Sequence, residues 1–266
     1  ISYICKKIIA FMEYMVCCVP VSPMRAETSH KSEMVSQQLF GEKSVILERE
    51  GNWARIQLKY DGYQGWVMQS HLVGIDEESY EKVDKALTSD WVNEVDYNGH
   101  IMNVPLGCSL SAFNNGIAFW RKNSVHFKGN VWNPEEIKIT ARQIKQIAFK
   151  FLNTSYLWGG KSVFGIDCSG YSQMVYKLLN TYLPRDAWQQ AEKGELVNFL
   201  QEAQCGDLAF FDNEEGRIVH VGILLNEHEI IHSAGKVRID KIDTQGILNL
   251  ETKVRTHKLR IIKRYF

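Results

Sequence analysis

The sequence predicts an α+β protein with two small β-barrels followed by a domain of mixed helices and strands. Three observations lead to this fold class. Short strand-like segments separated by glycine turns fill the first half of the chain. An amphipathic helical stripe begins after residue 133, and a buried helix with several apolar strands completes the chain. We expect domains at residues 12–76, 77–133 and 134–266.

The composition is that of an ordinary globular chain. The 266 residues are 45% hydrophobic and 23% charged, and 31 basic side chains balance 31 acidic ones. Zero formal net charge disfavours a general polyanion binder, so we expect no nucleic-acid partner. The length exceeds what one core needs, which agrees with several domains.

The cysteines indicate free thiols rather than a disulfide framework. They form no CxxC pair and no zinc-finger spacing in this long chain. The six positions are Cys5, Cys17, Cys18, Cys108, Cys168 and Cys205.

The first 18 residues are rich in apolar side chains but do not predict a membrane span. Glu13 interrupts them, and no uninterrupted run reaches transmembrane length. The apolar run after Lys6 and Lys7 is also short for a signal peptide. We therefore expect no transmembrane segment.

Residues 12–76 carry the pattern of the first barrel. We predict strands at residues 15–21, 44–48, 53–58 and 65–67. The third of these alternates apolar and polar residues with period 2, which is typical of a half-buried strand. Asp61-Gly62 predicts the turn between the last two strands.

Two segments follow before the helical stripe. Residues 77–87 are charged and suit a connecting helix. Residues 91–131 contain further strand-like runs separated by glycine turns, such as Asn98-Gly99, and end near Pro134. We interpret them as the second barrel.

Residues 134–153 predict an amphipathic helix. Apolar residues recur there every three or four positions, and Thr140 lies where a cap or first turn is expected. The stripe consists of Ile137, Ala141, Ile144, Ala148 and Phe151. This change of period marks the last domain boundary.

The stretch from residue 154 to 180 combines a loop with a buried helix. Its first half carries three glycines and three aromatic residues, which suits a tight irregular loop. Asp167 occupies the expected N-cap of the following helix, so Cys168 falls in the first turn. A helix N-terminus favours a thiolate, which makes Cys168 a candidate nucleophile. A buried structural cysteine is the commoner alternative.

Two histidines follow on predicted strands. We expect strands at residues 208–211, 218–225, 229–232 and 254–266. His220 is the polar residue of an otherwise apolar strand, and His232 ends the next strand. Adjacent antiparallel strands place two such side chains within reach of each other, as a cysteine peptidase requires. A core histidine bonded to backbone remains the alternative for His220.

Four ordered motifs carry a family resemblance. The segments YLWGGKSVFGIDCSG, GDLAFF, HVGILL and IIHSAG resemble the NlpC family of bacterial cell-wall cysteine endopeptidases, and the resemblance covers residues 136–266. Upstream, NWARI and DGYQGWV resemble bacterial SH3-like modules. The resemblance implies a papain-like catalytic domain. The whole chain is similar to the subgroup of γ-D-glutamyl-L-diamino acid endopeptidases, which release L-Ala-γ-D-Glu from peptidoglycan stem peptides.

The resemblance implies a role for each matching catalytic position. Cys168 matches the nucleophile and His220 the general base. His232 matches the residue that orients the base. Tyr156 matches the tyrosine beside the oxyanion, together with the backbone N–H of Cys168.

Further positions match residues that contact substrate. Asp167 and Ser169 match residues that line the cleft. Glu27 and Tyr63 resemble the pair that reads the free amine of the N-terminal L-Ala, although a loop carboxylate and a barrel-core ring are equally common. Ala187 departs from the family pattern, which often has Ser or Thr there as a cleft contact.

The leading hypothesis is a cofactor-independent, monomeric cysteine endopeptidase that acts on peptidoglycan-derived peptides. One alternative is a murein-binding protein that uses its SH3-like modules without catalysis. A third hypothesis, a zinc site of Cys168, His220, His232 and Asp167, lacks ligand pairs at short helical spacing. The sequence leaves the diamino acid open, and also the compartment, which is either the bacterial cell envelope or the cytoplasm.

Overall fold

The computed structural model describes residues 12–83 and 85–266, and their strands form three successive groups. The N-terminal apolar residues 1–11, which include Cys5, lie outside the described residues, as does Asp84 in the expected connecting helix. Among the residues described, no helix has the length and apolarity needed to cross a bilayer. The cysteines in this part of the chain are free: Cys17, Cys18, Cys108, Cys168 and Cys205.

Seven strands form the first barrel. They are β1 (Tyr14–Cys17), β2 (Val21–Arg25), β3 (Met34–Leu39), β4 (Lys43–Glu50), β5 (Trp53–Leu58), β6 (Gln64–Met68) and β7 (Leu72–Gly74). Their order in the sheet is β3-β2-β6-β5-β4-β1-β7. The alternation expected at residues 53–58 is confirmed, since Ala54, Ile56 and Leu58 are buried between more exposed neighbours. The single strand expected at residues 15–21 is wrong, because the chain bends at Pro20 and continues as β2.

A short helix and six strands follow. The helix α1 (Glu77–Glu81) begins after Asp76, whose side chain accepts from the backbone of Ser79. It is shorter than the helix expected at residues 77–87, because Leu87 is buried in a strand instead. The second barrel consists of β8 (Leu87–Thr88), β9 (Val92–Tyr97), β10 (His100–Pro105), β11 (Ile117–Trp120), β12 (Asn123–Phe127) and β13 (Val131–Trp132). Four of these strands pair in the order β10-β9-β12-β11, and β13 pairs with β8.

The last group opens with helices. Pro134–Glu136 forms a single 3-10 turn, and α2 (Ala141–Phe149) begins only after Thr140, which caps the backbone of Gln143. The helix that the apolar stripe predicted from residue 134 therefore starts at Ala141. A small hairpin of β14 (Lys161–Ser162) and β15 (Gly165–Ile166) leads into α3 (Cys168–Leu178), and α4 (Ala187–Ala191) follows.

Seven strands complete the fold. They are β16 (Glu195–Val197), β17 (Leu208–Asp212), β18 (Ile218–Asn226), β19 (Glu229–Ala234), β20 (Lys236–Asp243), β21 (Gly246–Leu248) and β22 (Arg255–Arg264). Their order is β16-β22-β17-β18-β19-β20-β21, and β22 also pairs with β21. Six of the strands thus close on themselves. The four strands expected from residue 208 onward are confirmed, whereas β16, β20 and β21 were missed.

One buried apolar cluster extends through all three groups of strands. Phe40 of the first barrel packs against Trp120 of the second, with ring centroids 5.1 Å apart. Trp132 of the second barrel donates through Nε1 to the backbone oxygen of Leu178 at the end of α3. Each barrel is therefore packed against its neighbours rather than tethered to them.

A buried ion cluster also joins the three groups, and we call Glu42, Lys161 and Lys177 the junction cluster. Glu42 lies between β3 and β4, and its carboxylate contacts Lys177 Nζ at 2.7 Å and Lys161 Nζ at 3.1 Å. Lys177 also donates to the backbone oxygen of Gly107 in the second barrel at 3.0 Å. The cluster therefore links residues of all three strand groups at one buried point.

Candidate active site

Cys168 is the first residue of α3, as expected from the Asp167 cap. Asp167 has an extended backbone, and its Oδ1 accepts from the backbone N–H of Gly170 at 2.7 Å. Cys168 is only 7% exposed. The N-cap therefore places the thiol at the start of the helix, beneath the loop that precedes it.

That loop is held against the first barrel by a close backbone approach. Gly159 has a positive φ of 73°, and a Cβ there would lie 2.2 Å from the backbone oxygen of Met34. Its N–H donates to Asp167 Oδ2 at 2.9 Å. Only glycine fits this position, so the WGG motif fixes both the loop and the edge of the first barrel.

A hydrogen-bonded chain of side chains lies on neighbouring strands, two of which, β18 and β19, pack against α3. His220 on β18 and His232 on β19 contact each other through Nε2 and Nδ1 at 2.8 Å. His232 Nε2 in turn lies 3.0 Å from Asp240 Oδ2 on β20. All three residues are buried. The expected proximity of the two histidines is thus observed, and it leaves His220 Nδ1 as the ring nitrogen outside this chain.

The sequence analysis missed Asp240. Its carboxylate accepts from Arg238 Nε at 2.8 Å and from the backbone of Leu250 at 2.8 Å, in addition to the His232 contact. Although burial raises the pKa of Asp240, these hydrogen bonds lower it to about 2. The ionised carboxylate of Asp240 therefore ends the hydrogen-bonded chain that starts at His220. The apolar residues Val237 and Ile239, separated by one charged residue, were the available signal for its strand.

The ionisation of Cys168 and His220 is set mainly by burial. Burial raises the pKa of the Cys168 thiol to about 12, and the charge of Asp167 adds to the effect. Burial holds the pKa of His220 well below its ordinary value, and His232 and His257 lower it further when their own rings are protonated. The expectation that the helix N-terminus lowers the pKa of the thiol is therefore wrong in net direction. These directions favour a neutral thiol beside a neutral imidazole.

A cavity of about 360 Å³ opens at Cys168. Tyr63 and Glu33 of the first barrel line it, opposite Tyr156 and Trp188 of the last domain. The remaining lining residues are Val35, Trp158, Gly159, Asp167, Ser169, Arg185, Asp186, Ala187, Ile218 and Val219. The structure thus brings five of the expected site residues to one cavity: Tyr63, Tyr156, Asp167, Cys168 and Ser169.

A buried ion pair that the sequence analysis missed forms part of the cavity wall. Arg185 Nη2 lies 2.6 Å from Asp167 Oδ2, and Nη1 donates to Ser169 Oγ at 2.9 Å. Arg185 Nε donates to Ser36 Oγ of the first barrel at 3.1 Å. We call Asp167 and Arg185 the cleft pair. It holds the residues on either side of Cys168 and ties them to β3.

The two tyrosines of the cavity remain protonated at ordinary pH. Burial raises the pKa of Tyr156 to about 12, with the neighbouring Cys168 and Asp167 adding to the effect. Burial and the adjacent Asp186 likewise raise the pKa of Tyr63 to about 12. Tyr63 Oη lies 3.5 Å from Asp186 Oδ1. Tyr156 can therefore donate a hydrogen bond into the cavity, whereas the Tyr63 hydroxyl donates to Asp186 and can accept one.

The structure does not bring Glu27 to the cavity. Glu27 lies in the loop between β2 and β3, where it is exposed, and the loop closes through a backbone hydrogen bond from Ala26 to Glu33. This closure places Glu27 on the outer part of the loop and Glu33 immediately before β3. Glu33 lines the cavity and accepts from Trp158 Nε1 at 2.6 Å. Ala187 lines the cavity as well and adds no polar group.

No three side chains of His, Cys, Asp or Glu within residues 12–83 and 85–266 are grouped so as to hold a metal ion. The zinc hypothesis therefore has no ligand set in the described part of the chain. What the geometry offers is a thiol and two protonated phenols at one cavity, and a chain of two histidines, on strands packed against the helix of the thiol, that ends in a carboxylate. These are the components of cysteine-based acyl transfer.

The fold and the cavity define a peptidase of the cysteine class, built on a closed sheet with the thiol at a helix start. The chain belongs to the NlpC/P60 family. The sequence profile of that family matches residues 153–256. The profile of the bacterial dipeptidyl-peptidase Sh3 domain matches residues 24–72.

Curated relatives and solved structures agree with this family. A gamma-D-glutamyl-L-lysine dipeptidyl-peptidase of Bacillus subtilis (strain 168) is 30% identical over 216 residues, which are 74% of this chain and 71% of the relative. A protein of the same name from Bacillus cereus is 25% identical over 252 residues, covering 83% of this chain and 74% of the relative. An NlpC/P60 family protein from Bacillus cereus ATCC 10987 has the same fold, with a TM-score of 0.79 at 18% identity over 95% of this chain and 99% of that one.

Proposed function

We propose that this protein is a cysteine endopeptidase that hydrolyses the bond between γ-D-Glu and a diamino acid in peptidoglycan stem peptides with a free N-terminal L-Ala. The observation that carries the proposal is the thiol of Cys168 at the head of α3, a helix that packs against the strands of His220 and His232 in the chain that ends at Asp240. The names of the two Bacillus relatives support the γ-D-glutamyl substrate. The diamino acid is either L-Lys or meso-diaminopimelate.

In the proposed mechanism His220 acts as general base. It takes the thiol proton while Cys168 Sγ attacks the γ-carbonyl carbon of D-Glu, because burial keeps the thiol neutral until that step. His232 orients the base, and Asp240 stabilises the positive charge that develops on the histidine chain. The backbone N–H of Cys168 and the hydroxyl of Tyr156 would stabilise the oxyanion.

Collapse of the tetrahedral intermediate breaks the C–N bond. The imidazolium of His220 returns its proton to the leaving amine of the diamino acid, and L-Ala-γ-D-Glu remains as a thioester on Cys168. A water molecule, deprotonated by His220, then attacks the thioester. This step releases the dipeptide acid and restores the thiol.

We further propose that the first barrel recognises the free amine of L-Ala. A buried ammonium needs a charged or polar partner, and the barrel presents the carboxylate of Glu33 and the phenol of Tyr63 to the cavity. Asp186 lies beside Tyr63 and adds a second carboxyl group. Glu33 thus takes the part that the sequence analysis gave to Glu27. Asp167 and Ser169 would hold the D-Glu portion.

The division into residues 12–76, 77–133 and 134–266 is also proposed. It is supported by the strands, because every sheet lies within one of the three segments. The first segment supplies one wall of the cavity, and the third supplies the thiol and the histidines.

The decisive experiment is mass spectrometry of the products formed from L-Ala-γ-D-Glu-L-Lys and from its N-acetylated form. We expect the free peptide to give L-Ala-γ-D-Glu and lysine, and the acetylated peptide to remain intact. Cys168→Ala and Cys168→Ser should abolish cleavage without unfolding the protein. Retained activity in either variant would overturn the nucleophile assignment.

A matched pair of variants tests the amine site. Glu33→Gln should lower kcat/KM for the free peptide by roughly tenfold or more, since a charged hydrogen-bond partner is lost. Glu27→Gln, an exposed glutamate of the same loop, should leave kcat/KM unchanged. If Glu27→Gln lowers kcat/KM and Glu33→Gln does not, Glu27 rather than Glu33 binds the amine. If the diaminopimelate peptide is cut and the lysine peptide is not, the chemistry stands and the diamino acid is settled.

A further inference from the structure

A third imidazole lies directly against the candidate base. The rings of His257 and His220 are stacked, with centroids 4.0 Å apart and an angle of 24° between their planes. His232 meets both rings edge-on, at 5.1 Å from His220 and 5.9 Å from His257. His257 is half-buried and has no part in the hydrogen-bonded chain that ends at Asp240.

The strand that carries His257 is closely held. His257 lies opposite Ile247 in the pairing of β22 with β21. At the start of β21, Gly246 has a positive φ of 128°, and a Cβ there would lie 1.8 Å from the backbone oxygen of His257. Only glycine permits this approach, so the backbone of His257 is fixed against β21. A substitution of the His257 side chain leaves this backbone contact intact.

The ring of His257 is held as well. Its Nδ1 lies 2.8 Å from Thr256 Oγ1. Phe211 on β17 contacts both stacked imidazoles, with centroids 5.7 Å from His220 and 5.9 Å from His257. A hydrogen bond at Nε2 fixes the direction of the His220 ring, whereas a stacked neighbour fixes its plane. The two contacts together determine where Nδ1 points.

We propose that His257 is a positioning residue for the candidate base: its ring holds the plane of the His220 imidazole and its electron-rich face stabilises the imidazolium that forms when Cys168 attacks. This inference rests on the proposed function, because it assigns His257 an effect only through His220. A neutral aromatic face attracts a cation stacked on it, and a protonated imidazole in the same place repels it.

The surroundings of His257 keep it neutral at ordinary pH. Burial and then the charge of His232 lower the pKa of His257 to about 4, while Asp240 acts in the opposite direction. The titratable groups that face it from other strands are His220 on β18, His232 on β19 and Asp240 on β20. Its neighbours on β17 and β21, Phe211 and Ile247, do not titrate. Lys258 follows it on its own strand, paired in register with Asp212.

The experiment compares wild type with His257→Ala, which removes the stack, and His257→Phe, which keeps a stacked ring without ionisation. We would measure kcat and KM on L-Ala-γ-D-Glu-L-Lys from pH 4 to 9. We would also measure the rate at which iodoacetamide alkylates Cys168, located by peptide mass mapping. We expect His257→Ala to lower kcat roughly tenfold with KM within about twofold, on the scale of one aromatic contact.

His257→Phe should restore kcat at pH 7 to within about threefold of wild type, and its activity should fall less steeply below pH 5. His228→Ala, at an exposed histidine, is the matched control and should behave as wild type. Thermal unfolding of each variant checks that the fold is retained. Unchanged kcat and alkylation in His257→Ala would overturn the inference. So would a folded His257→Phe protein as slow as His257→Ala.

The alkylation rate separates this inference from the proposed function. If wild-type Cys168 reacts no faster than Cys168 in a His220→Ala variant, the proposed cysteine–histidine site fails. If wild type reacts faster than His220→Ala but His257→Ala matches wild type, only the role of His257 fails.

Discussion

The cleft pair and the junction cluster are both buried ionic contacts, yet they differ in what they join and in what surrounds them. The cleft pair lies within the last domain and reaches the first barrel through the hydrogen bond from Arg185 to Ser36, whereas the junction cluster pairs Glu42 of the first barrel with two lysines of the last domain. Arg185 and Asp167 line the cavity that holds Cys168, and Asp167 also caps the helix that carries the thiol. Glu42, Lys161 and Lys177 are absent from that lining, and their side chains are at most 4% exposed.

This difference shows how one kind of interaction serves two purposes. At the junction cluster, charges fix the position of the barrel and meet only protein. At the cleft pair, the same type of contact sets the geometry next to the reacting thiol. Buried ion pairs are weak evidence for net stability, but removing one partner is costly because the other charge is left unpaired. Substitutions should therefore affect folding at the first site and catalysis at the second.

The largest stability effect is expected from Glu42→Gln. It leaves two buried ammonium groups without a carboxylate, which costs about 3–5 kcal/mol by analogy with other broken buried pairs. Urea denaturation would measure the loss. Glu48→Gln, an exposed glutamate on β4, is the control and should change stability by less than about 0.5 kcal/mol. If Glu42→Gln is nearly as stable as wild type, the junction cluster does not stabilise the fold, and the proposed difference between the two sites is wrong.

Acid should weaken the junction cluster next. Although burial raises the pKa of Glu42, Lys161 and Lys177 lower it to about 2, from an ordinary value of 4.5. A depressed carboxyl pKa contributes stability above pH 4.5 that is lost as pH falls toward 2. The contribution is on the order of 3 kcal/mol. Unfolding free energies at pH 6 and pH 3 should differ less in Glu42→Gln than in wild type, and equal differences would contradict the assignment.

At the cleft pair we expect a smaller cost in stability and a larger one in activity. Asn can still cap α3, so Asp167→Asn mainly deprives Arg185 of its charge partner, which costs about 2 kcal/mol. We expect kcat/KM to fall at least tenfold, since the residues on both sides of Cys168 shift. Glu27→Gln, at an exposed carboxyl outside the cavity, is the control and should keep full activity. Full activity in Asp167→Asn would make the cleft pair as purely structural as the junction cluster.

The smallest effect is expected from Lys177→Met. The junction cluster holds two cations for one carboxylate, so Glu42 keeps Lys161 as a partner when Lys177 is removed. The methionine fills the space of the lysine stem, and we expect a loss of about 1 kcal/mol for the hydrogen bond to Gly107. Urea denaturation compares it directly with Glu42→Gln. A loss as large as that of Glu42→Gln would mean that both ammonium groups are required.

Local signals in the sequence were enough to predict the start of α3, because Asp167 and the residues it caps are neighbours in the chain. The facing of His220 and His232 followed from antiparallel pairing of adjacent strands. The sequence could not distinguish Glu33 from Glu27 as the cavity carboxylate, because both occupy one loop. Only the contact of that loop with the last domain distinguishes them.

The other missed residues depend on contacts between distant parts of the chain. Arg185 meets Asp167 only after the chain has turned back from the end of α3. His257 reaches His220 because β22 closes the sheet on β21 and β17. Neither contact produces a periodic pattern in the sequence. The pattern of apolar residues therefore predicts strands but not which distant side chains meet.

The junction cluster also constrains the order in which the protein folds during synthesis. Glu42 precedes Lys161 by 119 residues and Lys177 by 135. At a synthesis rate of about 5–20 residues per second, the nascent first barrel waits on the order of ten seconds for its counter-charges to leave the ribosome. During that interval the carboxylate of Glu42 remains hydrated, and the surface around it stays open. The first barrel therefore reaches its final form only when the domain that carries the thiol has been translated.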